Sequence, residues 1–251
     1  MNNSLPTVSL IDYSIFSGNL NQIKDSKKTV INTINQYSFC LANDNEEFKI
    51  ALQKSNVLLP DGMAIVSAVN LLTGTRIKKI AGADIHQFLL KDLNKKSGKC
   101  FYLGSSESTL SKIKLKVSNE FPNILVKTFS PAFTNNFTEM QNEEMINAIN
   151  EFKPDVLFVG MTAPKQEVWS YNNSHLLDAK IICSIGAVFD FYAGTILRPH
   201  PVWIKLRLEW FIRLVKEPKR MWKRYLYFGP VFIKLILEEK INLYKKKSYF
   251  F

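Results

Sequence analysis

Short apolar runs alternate along this chain with longer stretches in which apolar side chains recur every three or four positions. The apolar runs are rich in β-branched residues and predict buried strands. They lie at residues 8–11, 29–32, 57–59, 99–103, 124–129, 155–159 and 180–185. The longer stretches predict helices, each followed by a glycine or a proline, at residues 63–72, 84–93, 106–121 and 139–152. Strands separated by helices of this length require crossover connections. We therefore predict a mainly parallel sheet with helices on both faces, an α/β, Rossmann-like fold.

Size and charge divide the chain into two parts. A chain of 251 residues with 46% hydrophobic residues can bury a substantial core. Residues 201–251 hold 13 Lys and Arg against 4 Glu, and thus +9 of the net charge of +11. We expect an α/β domain over residues 1–197 and a basic, amphipathic helical appendage over residues 198–251. Such an appendage favours contact with an anionic surface, either nucleic acid or lipid headgroups.

The cysteines and the N-terminal segment indicate a protein of the reducing cytoplasm. Cys40, Cys100 and Cys183 are odd in number, widely spaced and without a CxxC pattern, which argues against a disulfide framework or a zinc site. The N-terminal segment has no basic start followed by an apolar block, so no signal peptide is expected. No run reaches the roughly 18 apolar residues of a membrane-spanning helix, and we expect none.

The segment GMTAPKQE, residues 160–167, has the features of a ligand-binding loop. It joins a predicted strand to a predicted helix, and Gly160 lets the backbone turn where a side chain would obstruct a ligand. Pro164 suits the first turn of a helix, whose N-terminus offers free N–H groups to phosphates. Gln166 and Glu167 could then supply specific polar contacts. The alternative is an ordinary strand-to-helix connection with a solvated charge cluster.

Other polar residues follow predicted strands, at the sheet edge where ligands of open α/β folds bind. Asp61, in LLPDGMAIV, is a candidate general base or a helix N-cap. Thr33 and Asn35 are candidates to line the same crevice, or they form a turn. Asp190 could join the crevice or only hydrogen-bond backbone. Gly104 opens a Gly-Ser-Ser turn that could hold a phosphate or simply cap a helix.

The signatures of common cofactor enzymes are missing from the sequence. Neither GxGxxG nor GxxxxGK[ST] occurs, which argues against NAD-dependent and P-loop chemistry. The three histidines lack ligand-like spacing and there is no DxD pair, so neither a metal nor another cofactor is expected. The absence of a GxSxG elbow argues against a serine hydrolase.

Seven segments in collinear order resemble the WecG/TagA/CpsF family, glycosyltransferase family 26. They are INTIN, LLPDGMAIV, KIAGADI, YLGSS, KPDVLFVGMTAPKQEVW, SIGAVFDFYAGTILRPHPVW and LEWFIRLVKEPKRMWKRYL. Each segment alone is a modest signal, but seven in order are highly specific. The resemblance extends from Val8 to Leu226.

The resemblance implies an enzyme that transfers a sugar with inversion and without a required metal. Members move a sugar from a UDP-sugar donor to a polyprenyl-diphosphate-linked acceptor, in the synthesis of teichoic acids, capsules or exopolysaccharides. It further implies a cytoplasmic protein peripherally associated with the inner face of the plasma membrane. The transferred sugar, of the N-acetylmannosamine type or a related hexose, stays open because pocket geometry decides it.

The resemblance also gives roles to single residues. Asp61 matches the aspartate of the family's PDG motif, the candidate base that deprotonates the acceptor hydroxyl. Thr33 and Asn35 match the T-x-N motif of the active-site crevice, and Gln166 in the GAPKQE motif would contact the donor. Lys79 stands where the family usually has arginine, so a diphosphate contact there would lose the bidentate fork.

The basic C-terminal part is implied to complete the site. In the family, arginines of the EWxxRLxxEPxR region close over the active site, which makes Arg213 and Arg220 candidates. The alternative is a solvated charged stripe on a docking helix. Beyond Arg224, mixed apolar residues and lysines predict an interfacial helix on an anionic membrane. Packing against another subunit competes with this, so a homo-oligomer stays open.

Two further functions remain as alternatives. A basic, aromatic tail could bind nucleic acid by stacking on bases. Its aromatic residues lie beside Leu, Ile and Val, however, which favours contact with lipid or protein, so no nucleic-acid partner is expected. The other alternative is a non-catalytic membrane-surface protein of the same fold.

Overall fold

The structure, a computed structural model, describes residues 5–23, 28–197, 200, 202–203, 206 and 208–248, without the side chains of Glu209, Arg220, Lys247 and Ser248. Its strands are β1 (Thr7–Leu10), β2 (Tyr13–Phe16), β3 (Thr29–Ile34), β4 (Val57–Pro60), β5 (Lys99–Gly104), β6 (Leu125–Phe129), β7 (Val156–Gly160) and β8 (Ile181–Ser184). All seven predicted strands are confirmed. Strand β2 was not predicted; it pairs antiparallel with β1 across a tight turn at Ile11, where φ is 54°.

Strands β3 to β8 form one six-stranded sheet in the order β4-β3-β8-β7-β5-β6. Each neighbouring pair is parallel. The carboxyl ends of all six strands therefore meet at one edge, and this confirms the predicted α/β, Rossmann-like class.

Eight helices connect or follow these strands. They are α1 (Gln36–Asn43), α2 (Glu46–Gln53), α3 (Met63–Thr73), α4 (Gly82–Lys96), α5 (Glu107–Glu120), α6 (Glu139–Phe152), α7 (Lys165–Asn173) and α8 (Gly186–Ala193). The four helices predicted with bounds are confirmed. Helix α3 ends as predicted, because Gly74 takes the left-handed conformation (φ 74°) that closes a helix without steric cost.

Strand β5 explains why the strands read as continuous apolar runs. Cys100 and Tyr102 point to a core shared with α4, α5 and α8, whereas Phe101 and Leu103 pack against α6 and α7 on the opposite face. All four side chains are fully buried. A parallel sheet covered on both faces leaves no polar face, so the alternation typical of exposed sheets is absent.

The C-terminal part is helical. It contains α9 (Glu209–Lys216), α10 (Pro218–Trp222), a π-helical segment (Lys223–Tyr227) and α11 (Phe228–Ser248). The helical appendage predicted over residues 198–251 falls partly outside the described residues. Phe228, Phe232 and Ile236 of α11 are buried against α1 and α3, so this helix contributes to the same core as the sheet. Within the described ranges, no helix has both the length and the hydropathy needed to cross a membrane.

Candidate active site

A cleft of about 1490 Å³ follows the carboxyl edge of the sheet. Every strand of the sheet contributes, through the residues that follow it: Asn35, Asp61, Ser105, Ser130, Met161 and Ile185. The predicted site residues that line this cleft are Thr33, Asn35, Asp61, Gly104, Gly160, Gln166, Glu167, Asp190 and Arg213. Lys79 is half-buried but lies outside the cleft lining. The side chain of Arg220 lies outside the part of the chain that the structure describes.

Asp61 is half-buried at the end of β4, and its backbone N–H donates to the Ile34 carbonyl oxygen at 2.9 Å. The N-cap position of α3 is occupied by Gly62, with φ at 122°, a conformation that favours glycine. The N-cap alternative for Asp61 is therefore wrong. The carboxylate lines the cleft instead.

Asn35 has a structural role that was not predicted, as a helix cap, and it also lines the cleft as predicted. It caps α1, because its side-chain oxygen accepts from the backbone N–H groups of Tyr37 (3.0 Å) and Ser38 (3.1 Å). The same residue lines the cleft together with Thr33. With its oxygen occupied, Asn35 has its amide NH₂ left to offer a ligand.

Gln166 and Glu167 are buried, with exposed fractions of 6% and 2%. The Gln166 side-chain oxygen accepts from the Gly186 backbone N–H at 3.0 Å, and its amide nitrogen donates to Glu167 Oε1 at 2.8 Å. These bonds join the start of α7 to the start of α8 in the cleft wall. The alternative of a solvated charge cluster is wrong for both residues.

The second carboxyl oxygen of Glu167, Oε2, is buried and has no hydrogen-bond partner among the described residues. Burial raises the pKa of Glu167 to about 7, while the bond from Gln166 acts in the opposite direction. With this pKa the carboxyl group is about half protonated near neutral pH, and its protonated form can act as a hydrogen-bond donor.

Gly160 is required by packing. A Cβ atom on Gly160 would lie 2.4 Å from the ring of Phe189, a residue of α8. The sequence suggested that Gly160 leaves room for a ligand, whereas in the structure it leaves room for the Phe189 ring. Its absent side chain lets α8 lie close against β7, which brings Asp190 of α8 to the cleft.

Arg213 places cationic groups at the cleft. Its guanidinium lies 5.3 Å from the centre of the Phe191 ring, and Nε and Nη2 are buried without a hydrogen-bond partner among the described residues. Leaving charged donors buried and unpaired is unfavourable, so this guanidinium is suited to an anionic ligand. The guanidinium of Arg224, which also lines the cleft, lies 4.5 Å from the centre of the Tyr37 ring.

A cleft of this kind, with a carboxylate at one strand end and a partly unpaired guanidinium, fits the resemblance seen in the sequence. A sequence profile described as "Glycosyl transferase WecG/TagA/CpsF family" matches residues 8–246. The chain belongs to the WecG/TagA/CpsF glycosyltransferase family. The match extends past residue 226 and includes most of α11.

Three curated relatives carry the name "N-acetylglucosaminyldiphosphoundecaprenol N-acetyl-beta-D-mannosaminyltransferase". The protein from Bacillus subtilis (strain 168) is 32% identical over 88% of this chain and 82% of its own length. The protein from Bacillus spizizenii (strain ATCC 23059 / NRRL B-14472 / W23) is 26% identical over 79% and 75%. That from Staphylococcus aureus (strain MW2) is 25% identical over 82% and 78%.

One wall of this WecG/TagA/CpsF cleft was not predicted from the sequence. Residues 130–137, SPAFTNNF, follow β6 and all line the cleft. Proline and asparagines mark the segment as a loop, but no charged residue or motif in it signals chemistry. Within the described ranges, no three His, Cys, Asp or Glu side chains are grouped so that they could hold a metal ion.

Proposed function

We propose that this protein transfers a sugar from a UDP-sugar to a polyprenyl-diphosphate-linked sugar, with inversion and without a metal ion. The observation that carries the proposal is that one cleft contains both the Asp61 carboxylate and the buried Arg213 donors that lack a hydrogen-bond partner among the described residues. Glycosyl transfer needs a base for the acceptor and positive charge for the departing diphosphate. Both groups are available here from the chain itself.

Asp61 is the proposed base. It removes the proton from the acceptor hydroxyl as that oxygen attacks the anomeric carbon of the donor sugar. The new carbon–oxygen bond forms on the face opposite the bond to UDP, which breaks with its electron pair on the diphosphate. A single displacement of this geometry inverts the anomeric configuration.

Arg213 is the proposed partner of the diphosphate, because Nε and Nη2 would gain the hydrogen bonds that they lack in the unliganded protein. Gln166 is held by Gly186 and Glu167, and this fixed geometry suits a donor contact. Arg220, whose side chain the structure does not describe, and Lys79, which does not line the cleft, remain proposed contributors to donor binding. Neighbouring Thr33, Asn35 and Asp190 are proposed to contact the sugars.

The names of the relatives support the choice of substrates. They specify a transferred N-acetyl-β-D-mannosaminyl group and an acceptor that is an N-acetylglucosaminyl group on undecaprenyl diphosphate. We propose the same substrate classes for this chain, in the synthesis of a bacterial surface polysaccharide such as teichoic acid. A related hexose is the alternative for the donor sugar.

The catalytic α/β domain is proposed to span residues 1–197. The C-terminal part, residues 198–251, is proposed to hold the enzyme on an anionic membrane surface. Helix α11 packs on the domain with one face, and its other face exposes Ile233, Leu237, Ile241 and Tyr244. Apolar residues beside lysines suit an interface between acyl chains and anionic headgroups. A membrane position would bring the cleft near a lipid-linked acceptor.

The test of the proposed function is a transfer assay with the purified full chain. UDP-N-acetylmannosamine and N-acetylglucosaminyl diphosphate on a short polyprenol are incubated with the enzyme, with and without EDTA. We expect UDP release, a lipid product heavier by one N-acetylhexosamine, and no loss of rate with EDTA. No transfer from any of a panel of UDP-hexoses would overturn the proposal.

A further inference from the structure

A second, smaller pocket lies where the C-terminal helix α11 packs on the domain. The turn between β1 and β2, the end of α1, Lys49 of α2 and one flank of α11 form its walls. We refer to it as the α11 pocket. Its volume of about 210 Å³ is large enough for several waters or for one small organic molecule.

The α11 pocket is separate from the cleft. Asn35 at the start of α1 lines the cleft, whereas Asn43 at the end of the same helix lines the pocket. Eight helical residues at about 1.5 Å each place these two positions about 12 Å apart along the helix axis. No described residue lines both spaces. A ligand in the α11 pocket would therefore leave the cleft open.

The pocket is acidic although the chain is basic. Its lining includes the carboxylates of Asp12, Glu238 and Glu239 against the single ammonium of Lys49. Lys49 is already bound to Asp12 at 2.8 Å, and the Glu238 carboxylate lies 3.8 Å from the ammonium of Lys234. Glu239 is half-buried and has no ion-pair partner among the described residues. The pocket thus has negative charge to spare for a cation.

Tyr13 adds a polar group without a partner to the same pocket. The residue is 4% exposed, and its hydroxyl makes no hydrogen bond with any described residue. Burial, followed by the nearby charges of Asp12 and Glu46, raises the pKa of Tyr13 to about 12. The hydroxyl is therefore neutral at physiological pH. Because a buried hydroxyl without a partner is unfavourable, the pocket is suited to a ligand that forms a hydrogen bond with it.

The remaining walls of the pocket are apolar and aromatic. The rings of Phe39 and Tyr13 pack with their centres 5.5 Å apart, and Ile11 and Leu235 line the same space. Carboxylates beside such walls suit a cation with an apolar stem, because the charge pairs with the carboxylates while the stem covers the apolar surface. In the described part of the chain, no three acidic, His or Cys side chains are grouped to hold a metal ion, so an organic cation fits better than a bare metal ion.

We propose that the α11 pocket binds a small organic cation, a primary ammonium group on a short apolar chain. The ammonium donates to the Glu239 carboxylate and to the Tyr13 hydroxyl oxygen, and the chain lies against Phe39 and Leu235. The bound cation contacts the β1–β2 turn, α1 and α11 together, so it holds the C-terminal helix on the domain. The net charge of +11 gives no general attraction for cations, so saturable binding requires a local acidic site such as this one.

The experiment is calorimetric titration of putrescine into the full chain at constant ionic strength. We expect saturable binding of one molecule per chain, and no binding of butanediol with the same chain length, which lacks the charge. Glu239→Gln should weaken putrescine binding by about tenfold or more, since it removes a charged acceptor. Tyr13→Phe should weaken it by about 2- to 10-fold, the effect of one lost neutral hydrogen bond. Glu144→Gln is the matched control, because Glu144 is an exposed carboxylate of α6 outside the pocket lining.

Hydrogen exchange locates the bound cation. Putrescine should slow exchange of the backbone amides of α11 and of the β1–β2 turn in the wild type, and Glu239→Gln should abolish this effect. Equal binding by the wild type and both pocket variants, or slowed exchange confined to the cleft, would place the cation elsewhere and overturn the proposal. Absence of saturable binding, or equal binding of butanediol, would overturn it as well. None of these outcomes bears on sugar transfer, which the transfer assay tests separately.

Discussion

The amide of Gln166 donates a hydrogen bond to the carboxyl group of its neighbour Glu167 over 2.8 Å, and both side chains are buried. Consecutive residues of a helix normally point in different directions, yet here the two meet inside the protein. The Gln166 oxygen is bound to the Gly186 backbone N–H as well, so three groups fix one another at the wall of the cleft. This arrangement has a measurable consequence for pH dependence.

Glu167→Gln should remove a pH-dependent contribution to stability. Burial raises the pKa of Glu167 from its ordinary value of 4.5 to about 7 in the folded protein. Between these values the unfolded chain loses the proton that the folded chain keeps, so stability falls as pH rises. The wild type should lose about 3 kcal/mol of unfolding free energy relative to Glu167→Gln between pH 4.5 and pH 7.

Urea unfolding of both proteins at several pH values measures this difference. Well above the folded pKa of about 7 and well below the ordinary value of 4.5 the difference should be constant, because both states then have the same protonation. If the unfolding free energies of the two proteins differed by the same amount at every pH, the carboxyl group would titrate normally in the folded protein.

Asp61→Asn should lower kcat by about 10²- to 10⁴-fold, since the amide cannot accept the acceptor's proton. UDP affinity, measured by calorimetry, should stay within about twofold, because Asp61 acts on the acceptor side of the reaction. Asp92→Asn is the control, an acidic residue on the outer surface of α4 that pairs with Lys96. Full activity in Asp61→Asn would exclude this carboxylate as the base.

Arg213→Met should separate binding from stability. The substitution keeps an apolar stem beside Phe191 but removes two buried donors that lack partners among the described residues, so thermal stability should hold or rise. UDP affinity should fall by about 10- to 100-fold, the value of charge-assisted hydrogen bonds. Thermal shift with and without UDP measures both effects. A large loss of stability without a change in affinity would assign Arg213 a structural role.

The exposed face of α11 should carry membrane binding. The double substitution Ile233→Asn and Leu237→Asn should weaken sedimentation with anionic vesicles by at least about tenfold, because each apolar side chain contributes about 1.5–3 kcal/mol when buried. Stability should barely change. Phe232→Ala, on the opposite face against Phe39, should instead lower stability by about 3–5 kcal/mol. Unchanged vesicle binding in the double variant would favour another docking surface.

The sequence was informative where local rules operate. Apolar runs identified seven strands, and Gly74 marked the end of α3, because periodicity and backbone preference are properties of neighbouring residues. Strand β2 escaped because four residues paired across a tight turn have too little pattern of their own. The family could also be inferred, since collinear motifs survive in the sequence itself and the profile match confirms it.

The sequence by itself determined the α/β class, the family and which strand ends precede Asp61, Asn35 and Gln166. Only the tertiary structure decided that these strand ends share one cleft, that Glu167 is buried, and that Arg213 reaches the same space from residues far along the chain. It also revealed that residues 130–137 line the cleft and that α11 has one buried and one exposed face. Burial and pairing depend on contacts between residues distant in sequence, and no local pattern encodes which surfaces will meet.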